Sequence, residues 1–440
     1  MLDKIFKKLE RFVPAKYRWI LNHDGFKRYF ANTGWMFFGQ MFSLLVSFFI
    51  GAWLARYLGP ENYGVLSYAV AFVGIFSFVS SLGVDEIFFR ELVKFPEKRD
   101  ALMGTAFWLK LIGGLIAFSS VVVCAFLFVL TPLSRLLIIL FSFTFILQSF
   151  NIISIYFQAK VESKNNIKAI LLATLIASIL KIVVILLNQG VIWIIIVYVL
   201  DVFMQGMGFV NAYHRCKLKI KSWYFDKNLA KEMLKNSWPL MLSSAAVFIY
   251  LRIDQVMIGA MLGSHAVGIY AAAVKLVEAW NFVPYIICGS LLPAIINAKK
   301  IDALIYKKRL KALYLLIIIA AILIAVISTI FAPWVITILF GNEYLGTIII
   351  LQIYAWSAIG FFLSIVITKY FLSENRSQAI FWYNLLSMSV NVILNFVMIP
   401  KIGLAGAAWA TLISYSAGPV VMTVIWWFEN LKKKKLLSNI

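Results

Sequence analysis

Long apolar runs are the feature that most limits what this chain can fold into. Twelve runs of roughly 18 or more residues are each long enough to cross about 30 Å of hydrocarbon. They lie near residues 33–55, 63–84, 101–130, 136–157, 167–187, 190–213, 237–261, 266–295, 312–340, 345–372, 378–400 and 402–428. With 62% hydrophobic and only 14% charged residues, the composition also excludes an ordinary soluble domain. The sequence therefore predicts an all-α polytopic membrane protein with about twelve transmembrane helices.

Basic residues are distributed unevenly between the loops. The N-terminal segment, every second loop and the C-terminal tail together carry 33 basic residues, whereas the opposite loops carry only Arg56, Arg135 and Lys401. By the positive-inside rule, both termini are cytoplasmic, which requires an even number of spans. Twelve spans satisfy that requirement, and we interpret the net charge of +22 as a sign of topology rather than of nucleic-acid binding.

The residues that usually support catalysis or metal binding form no recognisable pattern here. Cys124, Cys216 and Cys288 show no C-x-x-C spacing, and of the three histidines only His214 lies near a cysteine in sequence. No D-x-D, H-E-x-x-H or P-loop motif is present, and the outer loops are short. We therefore predict a protein that is not an enzyme, with no catalytic residue, no metal site and no cofactor.

An internal repeat divides the sequence into halves. A shift of 204 residues places Leu58-Gly59 on Leu262-Gly263, Gly64 on Gly268 and Ala69-Val70 on Ala273-Val274. Span one then falls on span seven, as in transporters built from parallel repeats with a substrate site between the halves. The predicted organisation is a cytoplasmic or interfacial basic segment 1–31, a six-helix bundle 32–213, a basic cytoplasmic linker 214–236, a second six-helix bundle 237–428 and a basic cytoplasmic tail 429–440.

Short motifs follow one another in a characteristic order along the chain. Arg56-Tyr-Leu-Gly-Pro60 with Tyr63-Gly64 lies in the first half, where Gly59 and Gly64 flank Pro60 and predict a turn. The counterparts are Asp254, Leu262-Gly263, Gly268-Ile-Tyr270, Glu278 and Pro284, followed by Asn391-Val-Ile-Leu-Asn395, Pro400 and Gly403-Leu-Ala-Gly406. Over nearly the whole chain this set resembles the polysaccharide-export, O-antigen flippase-like family of the multidrug/oligosaccharidyl-lipid/polysaccharide (MOP) flippase superfamily.

That resemblance implies a MATE-like fold of two six-helix bundles in a bacterial inner membrane. It implies a flippase that carries polyprenyl-pyrophosphate-linked oligosaccharide repeat units from the cytoplasmic to the outer leaflet by alternating access. The product would enter O-antigen, capsule or exopolysaccharide synthesis. The implied partners are the lipid-linked oligosaccharide, membrane lipids, and the polysaccharide polymerase and chain-length machinery, with no nucleic acid.

Ionisable residues inside the spans are the candidates for function, because each costs on the order of 2.5–3.5 kcal/mol at the bilayer centre. Arg252 is the first choice for a phosphate contact, since its planar fork can bind two oxygens. For Lys181, the position is explained equally well by a side chain that extends to the membrane interface instead of into a cavity. The predicted cavity residues are Arg252, Lys275, Lys110, Lys181, Asn384, Asn391 and Asn395, and the predicted ion-coupling or charge-pairing residues are Asp201, Asp254 and Glu278.

Helical geometry narrows the pairings of these residues. Arg252 and Asp254 lie about 200° apart around a helix, so one of them is expected to meet span eight. Lys275 and Glu278 are spaced to share a face. Asn384, Asn391 and Asn395 form a polar stripe on span eleven that either lines a sugar passage or bonds neighbouring helices.

Three questions stay open at the level of the sequence. Coupling to H+ or Na+ entry is an alternative to voltage-driven transport, or an addition to it. A cation-coupled multidrug exporter of the same superfamily is the second functional reading, although such a cavity should favour acidic residues and this one has a basic excess. A membrane glycosyltransferase or polymerase is the third, weakened by the missing carboxylate or metal constellation.

Overall fold

The computed structural model describes residues 24–299, 302–373 and 377–437, and this part of the chain is almost entirely α-helical. Most of the predicted interfacial segment 1–31 lies outside the described residues. We number the helices in chain order: α1 Asp24–Ile75, α2 Ser77–Ser81, α3 Val84–Lys94, α4 Arg99–Phe128, α5 Pro132–Ser142, α6 Thr144–Leu147, α7 Asn151–Ala159, α8 Lys164–Leu186, α9 Val191–Arg215, α10 Lys227–Leu262, α11 Ser264–Glu278, α12 Phe282–Lys299, α13 Ala303–Leu339, α14 Thr347–Tyr354, α15 Ser357–Ser373 and α16 Ser377–Leu437.

The number of membrane crossings follows from breaks in two long helices. Ten stretches in the described residues are long and apolar enough to cross a membrane. Two of these exceed 40 residues, about twice the length that one crossing needs. α1 is interrupted at Gly59 and α16 at Ile402 and Gly403, where the backbone leaves the helical region. The two breaks divide these helices into two arms each, which agrees with the prediction of about twelve spans.

Large apolar side chains cover the outside of these helices. Leu127, Phe128, Leu172 and Trp334 are all more than 60% exposed. Only 22–56% of the residues in the most apolar window of each stretch are buried inside the protein. A surface of this kind requires a hydrocarbon solvent, because in water it would be an aggregation-prone patch. The protein is a multi-pass membrane protein.

Repeat-related glycines form two of the connections between helices. Gly59 has φ 67° and Gly263 has φ 85°, a region that side-chain-bearing residues rarely adopt. These positions are 204 residues apart, so the sequence repeat is also a repeat of backbone conformation. Gly64 differs from the prediction, since it lies within the helical arm after Pro60 and its role is close packing rather than turn formation.

The described chain divides into two compact units that alternate along the sequence. The first unit contains residues up to Ile50, Val79–Ser119 and Leu140–Trp238, and the second contains Gly51–Phe78, Ser120–Ile139 and the chain from Pro239 onward. The second unit thus includes two segments of the sequence's first half. The division into the bundles 32–213 and 237–428 stays a prediction.

Within the first unit, the predicted linker is attached to the beginning of α4. Its non-helical part follows α9 and ends where α10 begins at Lys227. Tyr224 N donates to Asp100 O over 3.4 Å, and Asp226 N donates to Thr105 Oγ1 over 3.0 Å. Trp223 Nε1 donates to Tyr213 OH over 3.1 Å. The linker is therefore held by its backbone and an aromatic side chain.

Candidate functional site

Two charged residues of α10 point to different surroundings within the second unit. Arg252 Nη1 lies 3.3 Å from Glu278 Oε1 on α11, and each of these side chains is 32% exposed. Asp254 is buried at 4% exposure and faces α11 and both arms of α16. The different directions of the Arg252 and Asp254 side chains match the angle of about 200° between positions i and i+2 of a helix. Both charges contact span eight, Arg252 through Glu278 and Asp254 through Tyr270, whereas the sequence predicted such a contact for only one of them.

Three donors surround the buried carboxylate of Asp254. Tyr270 OH donates to Oδ2 over 2.9 Å, and Thr411 Oγ1 donates to the same oxygen through a short bond. Asn395 Nδ2 donates to Oδ1 over 2.6 Å and also to Asn391 Oδ1 over 3.1 Å. We call Asp254, Tyr270, Asn391, Asn395 and Thr411 the Asp254 cluster.

In the part of the chain that the structure describes, one buried oxygen of the Asp254 cluster lacks a hydrogen-bond donor, and its carboxylate lacks a basic partner. Asn395 Oδ1 is buried and has no hydrogen-bond partner among the described residues. No basic side chain in the described chain lies within the 4.0 Å that defines an ion pair with Asp254. A buried carboxylate without a basic partner requires a cation or a proton for balance, and a cluster of carboxylate, amide and hydroxyl oxygens suits a hard cation.

A small pocket adjoins the pair of Arg252 and Glu278. It has polar groups and aromatic rings in its wall: Leu251, Val277, Glu278, Asn281, Tyr354, Ser357, Ala358, Phe361 and Tyr415. Tyr354 and Tyr415 were absent from the sequence-based candidates, because tyrosines at helical spacing in an apolar span look the same whether they pack or line a site. Only the approach of α14, α15 and α16 to Glu278 identifies them.

The Asp254 cluster and this pocket are built from the same helices. α10 supplies Asp254 to the cluster and Arg252 to the pair beside the pocket. The second arm of α16 supplies Thr411 to the cluster and Tyr415, one turn later, to the pocket. The rings of Tyr270 in the cluster and Tyr354 in the pocket meet edge to face at 5.8 Å.

The asparagines of α16 and Lys275 make further contacts in the second unit. Asn384 Nδ2 donates to Ser243 Oγ over 3.1 Å, and Asn391 Nδ2 donates to Ser414 Oγ over 3.2 Å. The polar stripe of α16 therefore bonds neighbouring helices at these positions, one of the two roles left open by the sequence. Lys275 Nζ occupies the space beside Gly51 that a side chain at that position would fill.

The remaining candidates lie in the first unit. Lys110 Nζ forms an ion pair of 2.6 Å with Asp85 of α3, a residue that sequence reasoning missed because it precedes the third span. Lys181 Nζ lies 4.0 Å from the centre of the Tyr198 ring, a cation–π contact. Asp201 Oδ1 accepts from Gln205 Nε2 over 3.0 Å. None of these contacts involves the Asp254 cluster.

A match in sequence decides the family. The profile of the family described as "Polysaccharide biosynthesis protein" matches residues 29–299, more than half of the 440-residue chain. The chain belongs to this family. The match includes α10 and α11, and so Arg252, Asp254, Tyr270 and Glu278. A comparison with curated protein sequences finds no match.

Solved structures of the MOP superfamily share the fold. An inward-facing multidrug resistance MATE family transporter superposes with a TM-score of 0.69 at 14% identity, covering 89% of this chain and 96% of that one. The lipid II flippase MurJ in an inward closed conformation gives 0.69 at 16% identity, covering 89% and 86%. A MOP transporter from Pyrococcus furiosus, titled for the reverse polarity of its binding pocket, gives 0.57 at 15% identity, covering 93% and 96%. The protein shares the fold of these transporters.

Proposed function

We propose that the protein is a flippase that moves polyprenyl-pyrophosphate-linked oligosaccharide repeat units from the cytoplasmic to the outer leaflet of a bacterial plasma membrane. Its product would supply the polymerase of O-antigen, capsule or exopolysaccharide synthesis. Membership of the family and the MOP fold support a flippase role. The observation that carries the proposal is a half-exposed arginine, Arg252, beside a polar and aromatic pocket within membrane-crossing helices.

Arg252 is proposed to bind the pyrophosphate, in competition with Glu278. A guanidinium presents a planar fork that matches two phosphate oxygens, and such charge-assisted pairs are strong away from bulk water. In the structure this fork is held by Glu278 across 3.3 Å. An incoming anionic head group would displace that carboxylate and meet the amide and hydroxyl groups of the pocket, which include Asn281 and Ser357.

The Asp254 cluster is proposed to bind the coupling cation, and we favour Na+ over H+. The unsatisfied Asn395 Oδ1 belongs to a cluster that also contains the carboxylate, the Asn391 oxygen and the Thr411 hydroxyl, so several oxygens are available as ligands. A proton would use only one of them. Of the three carboxylates considered, Glu278 is paired with Arg252 and Asp201 is only partly buried, whereas Asp254 is buried. Asp254 is thus the strongest candidate.

Shared helices explain how cation binding would affect the anion site. A cation in the Asp254 cluster would reorient Asn395 and Thr411, which donate to Asp254 in the structure, and so change how α10 and α16 pack. Those same helices carry Arg252 and Tyr415 at the pocket. A ligand shifts such an equilibrium only by its differential affinity for two states, so each site must be formed better in one of them.

Membrane voltage would favour both movements. A charge crossing the membrane gains about 2.3 kcal/mol per 100 mV, so a pyrophosphate with two negative charges gains about 4–5 kcal/mol on moving outward in an inside-negative cell. A Na+ ion moving inward adds about 2.3 kcal/mol per 100 mV. Coupling through the Asp254 cluster would therefore work in the same direction as voltage.

Leaflet exposure of a fluorescent lipid-pyrophosphate-linked oligosaccharide in proteoliposomes tests the function. We expect the intact protein to expose the labelled sugar to an added glycosidase well above the rate of empty vesicles, faster with an imposed voltage of the favourable sign. Vesicles containing denatured protein serve as the control for leakage. If transport fails with acidic and neutral glycans but an added cationic dye is exported, the multidrug reading replaces the flippase.

The orientation is tested with a native thiol. Cys216 is exposed and follows α9 at the end predicted to be cytoplasmic. Partial desolvation and the nearby charge of Glu162 raise the pKa of its thiol, so labelling should become faster as the pH rises above neutral. We expect a membrane-impermeant maleimide to label Cys216 in inside-out vesicles and not in intact cells, with Cys216→Ser as the control. Labelling in intact cells would contradict cytoplasmic termini.

A further inference from the structure

Two repeat-related glycines meet in a reciprocal contact within the second unit. A Cβ atom built on Gly64 would lie closer than 3.0 Å to the carbonyl oxygen of Ser264, and one built on Gly268 would lie equally close to that of Pro60. The shift of 204 residues that relates Gly64 to Gly268 also relates Pro60 to Ser264. The contact is therefore a local pseudo-two-fold arrangement in which the same position of each repeat packs on the other.

Further bonds surround this glycine contact at the same end of the helices. Tyr344 OH donates to Ala55 O over 2.7 Å, and both groups are buried. Arg56 Nη1 donates to Ile338 O over 3.3 Å. Each bond joins the first arm of α1 to a segment after α12, so three stretches distant in sequence are closed against one another.

The contact continues along the arm of α1 that follows Pro60. One turn beyond Gly64, the ring of Tyr68 fills the space beside Gly259. Further along, Arg252 Cγ lies 3.5 Å from the point where a Cβ on Gly74 would be. The glycine contact thus lies at one end of a seam that leads to the proposed anion site, at the end predicted to face the cell exterior.

We propose that Gly64 and Gly268 form an outer gate, which closes backbone to backbone over Arg252 and opens to release the head group outward. The proposal rests on the proposed function and orientation. Only glycine permits this closure, because any Cβ would hold the two arms apart. Backbone contacts of this kind include weak C–H···O interactions. The two arms therefore fit closely together, but their contact contributes little binding free energy. These are the properties needed for repeated opening.

The labelling rate of a thiol placed behind the gate reports whether the gate is open or closed. We would introduce Tyr68→Cys into a chain with Cys124, Cys216 and Cys288 replaced by Ser, and label intact cells with a membrane-impermeant maleimide. Gly64→Ala is expected to raise the labelling rate about 10-fold, since overpacking a close contact shifts the closed state by that order. Gly346→Ala is the matched control, because its Cβ would make only an ordinary contact of 3.6 Å with Ile269 Cγ2.

Two further variants keep the test decisive. Gly268→Ala should raise labelling as Gly64→Ala does, and Tyr344→Phe should raise it less, since it removes a single hydrogen bond. Equal labelling of all variants and the control would overturn the gate, as would fast labelling of the parent chain. The readout does not depend on transport. Failure of the proteoliposome assay with a normal labelling response would therefore refute the proposed function while the closing contact stands.

Discussion

Replacement of Asp254 by Asn is expected to weaken the apparent affinity of transport for Na+ about 10- to 100-fold, the usual effect of losing an important group at a metal site. The amide keeps the size of the carboxylate but removes the charge that balances a cation. It also leaves the donors Tyr270, Thr411 and Asn395 with fewer acceptors, a cost of about 1–3 kcal/mol in the free energy of unfolding. The measurement is initial translocation rate against Na+ concentration at fixed voltage and pH.

Matched carboxylate variants separate the Asp254 cluster from other effects of charge. Asp201→Asn removes an acidic group that bonds Gln205, and we expect it to leave the Na+ response unchanged. Thr411→Val should produce a smaller loss than Asp254→Asn, because it removes one oxygen of the cluster and keeps the charge. A wild-type rate that ignores Na+ but follows an imposed pH gradient would contradict the sodium assignment and make Asp254 the proton carrier.

Replacement of Arg252 by Gln is expected to reduce translocation of a pyrophosphate-linked substrate roughly 30-fold or more. Truncating one partner of a buried charge pair costs about 2–5 kcal/mol, part of which arises from the charge left behind. Here that charge is Glu278, whose partner lies at 3.3 Å. The lower end of that range applies here, because both side chains are 32% exposed. The loss should appear in kcat/KM measured with the fluorescent substrate.

A double variant distinguishes anion binding from charge pairing. If Arg252 serves only to neutralise Glu278, then Arg252→Gln combined with Glu278→Gln should recover the lost activity. We expect no recovery, because the proposed contact with the pyrophosphate is still missing. Glu278→Gln alone should lower KM, since it releases the guanidinium from its competitor. Lys401→Gln, an exposed basic residue far from the pair in sequence, is the control for net charge. Full recovery in the double variant would assign Arg252 to helix packing.

The sequence by itself determined the solvent, the approximate number of crossings and the turn at Gly59. Apolar runs of membrane length leave the backbone no alternative to helices that satisfy their own hydrogen bonds. Gly59 was identifiable because a positive φ is a local property that glycine adopts at low cost, and its repeat partner Gly263 proved to have a positive φ as well. The order of the motifs was sufficient to indicate the family, which the profile match confirmed.

Tertiary structure alone decided which partners the intramembrane charges have. Helical angles predicted that Arg252 and Asp254 diverge, but nothing local indicates that one meets Glu278 and the other Tyr270, Asn395 and Thr411. The partners lie 16 to 157 positions away along the chain. Sequence spacing fixes neighbours within a helix, whereas contacts between helices depend on how several apolar faces pack together.

The contact between Gly64 and Gly268 was likewise only partly predictable from the sequence. The repeat made Gly64 and Gly268 equivalent positions, and the residues around Gly64 suggested a turn there. Only the structure shows their reciprocal packing, because it depends on how closely the second arm of α1 approaches the beginning of α11. A glycine in a turn and a glycine at a close contact have the same side chain, so the sequence could identify the positions, and only the packing of helices could assign their role.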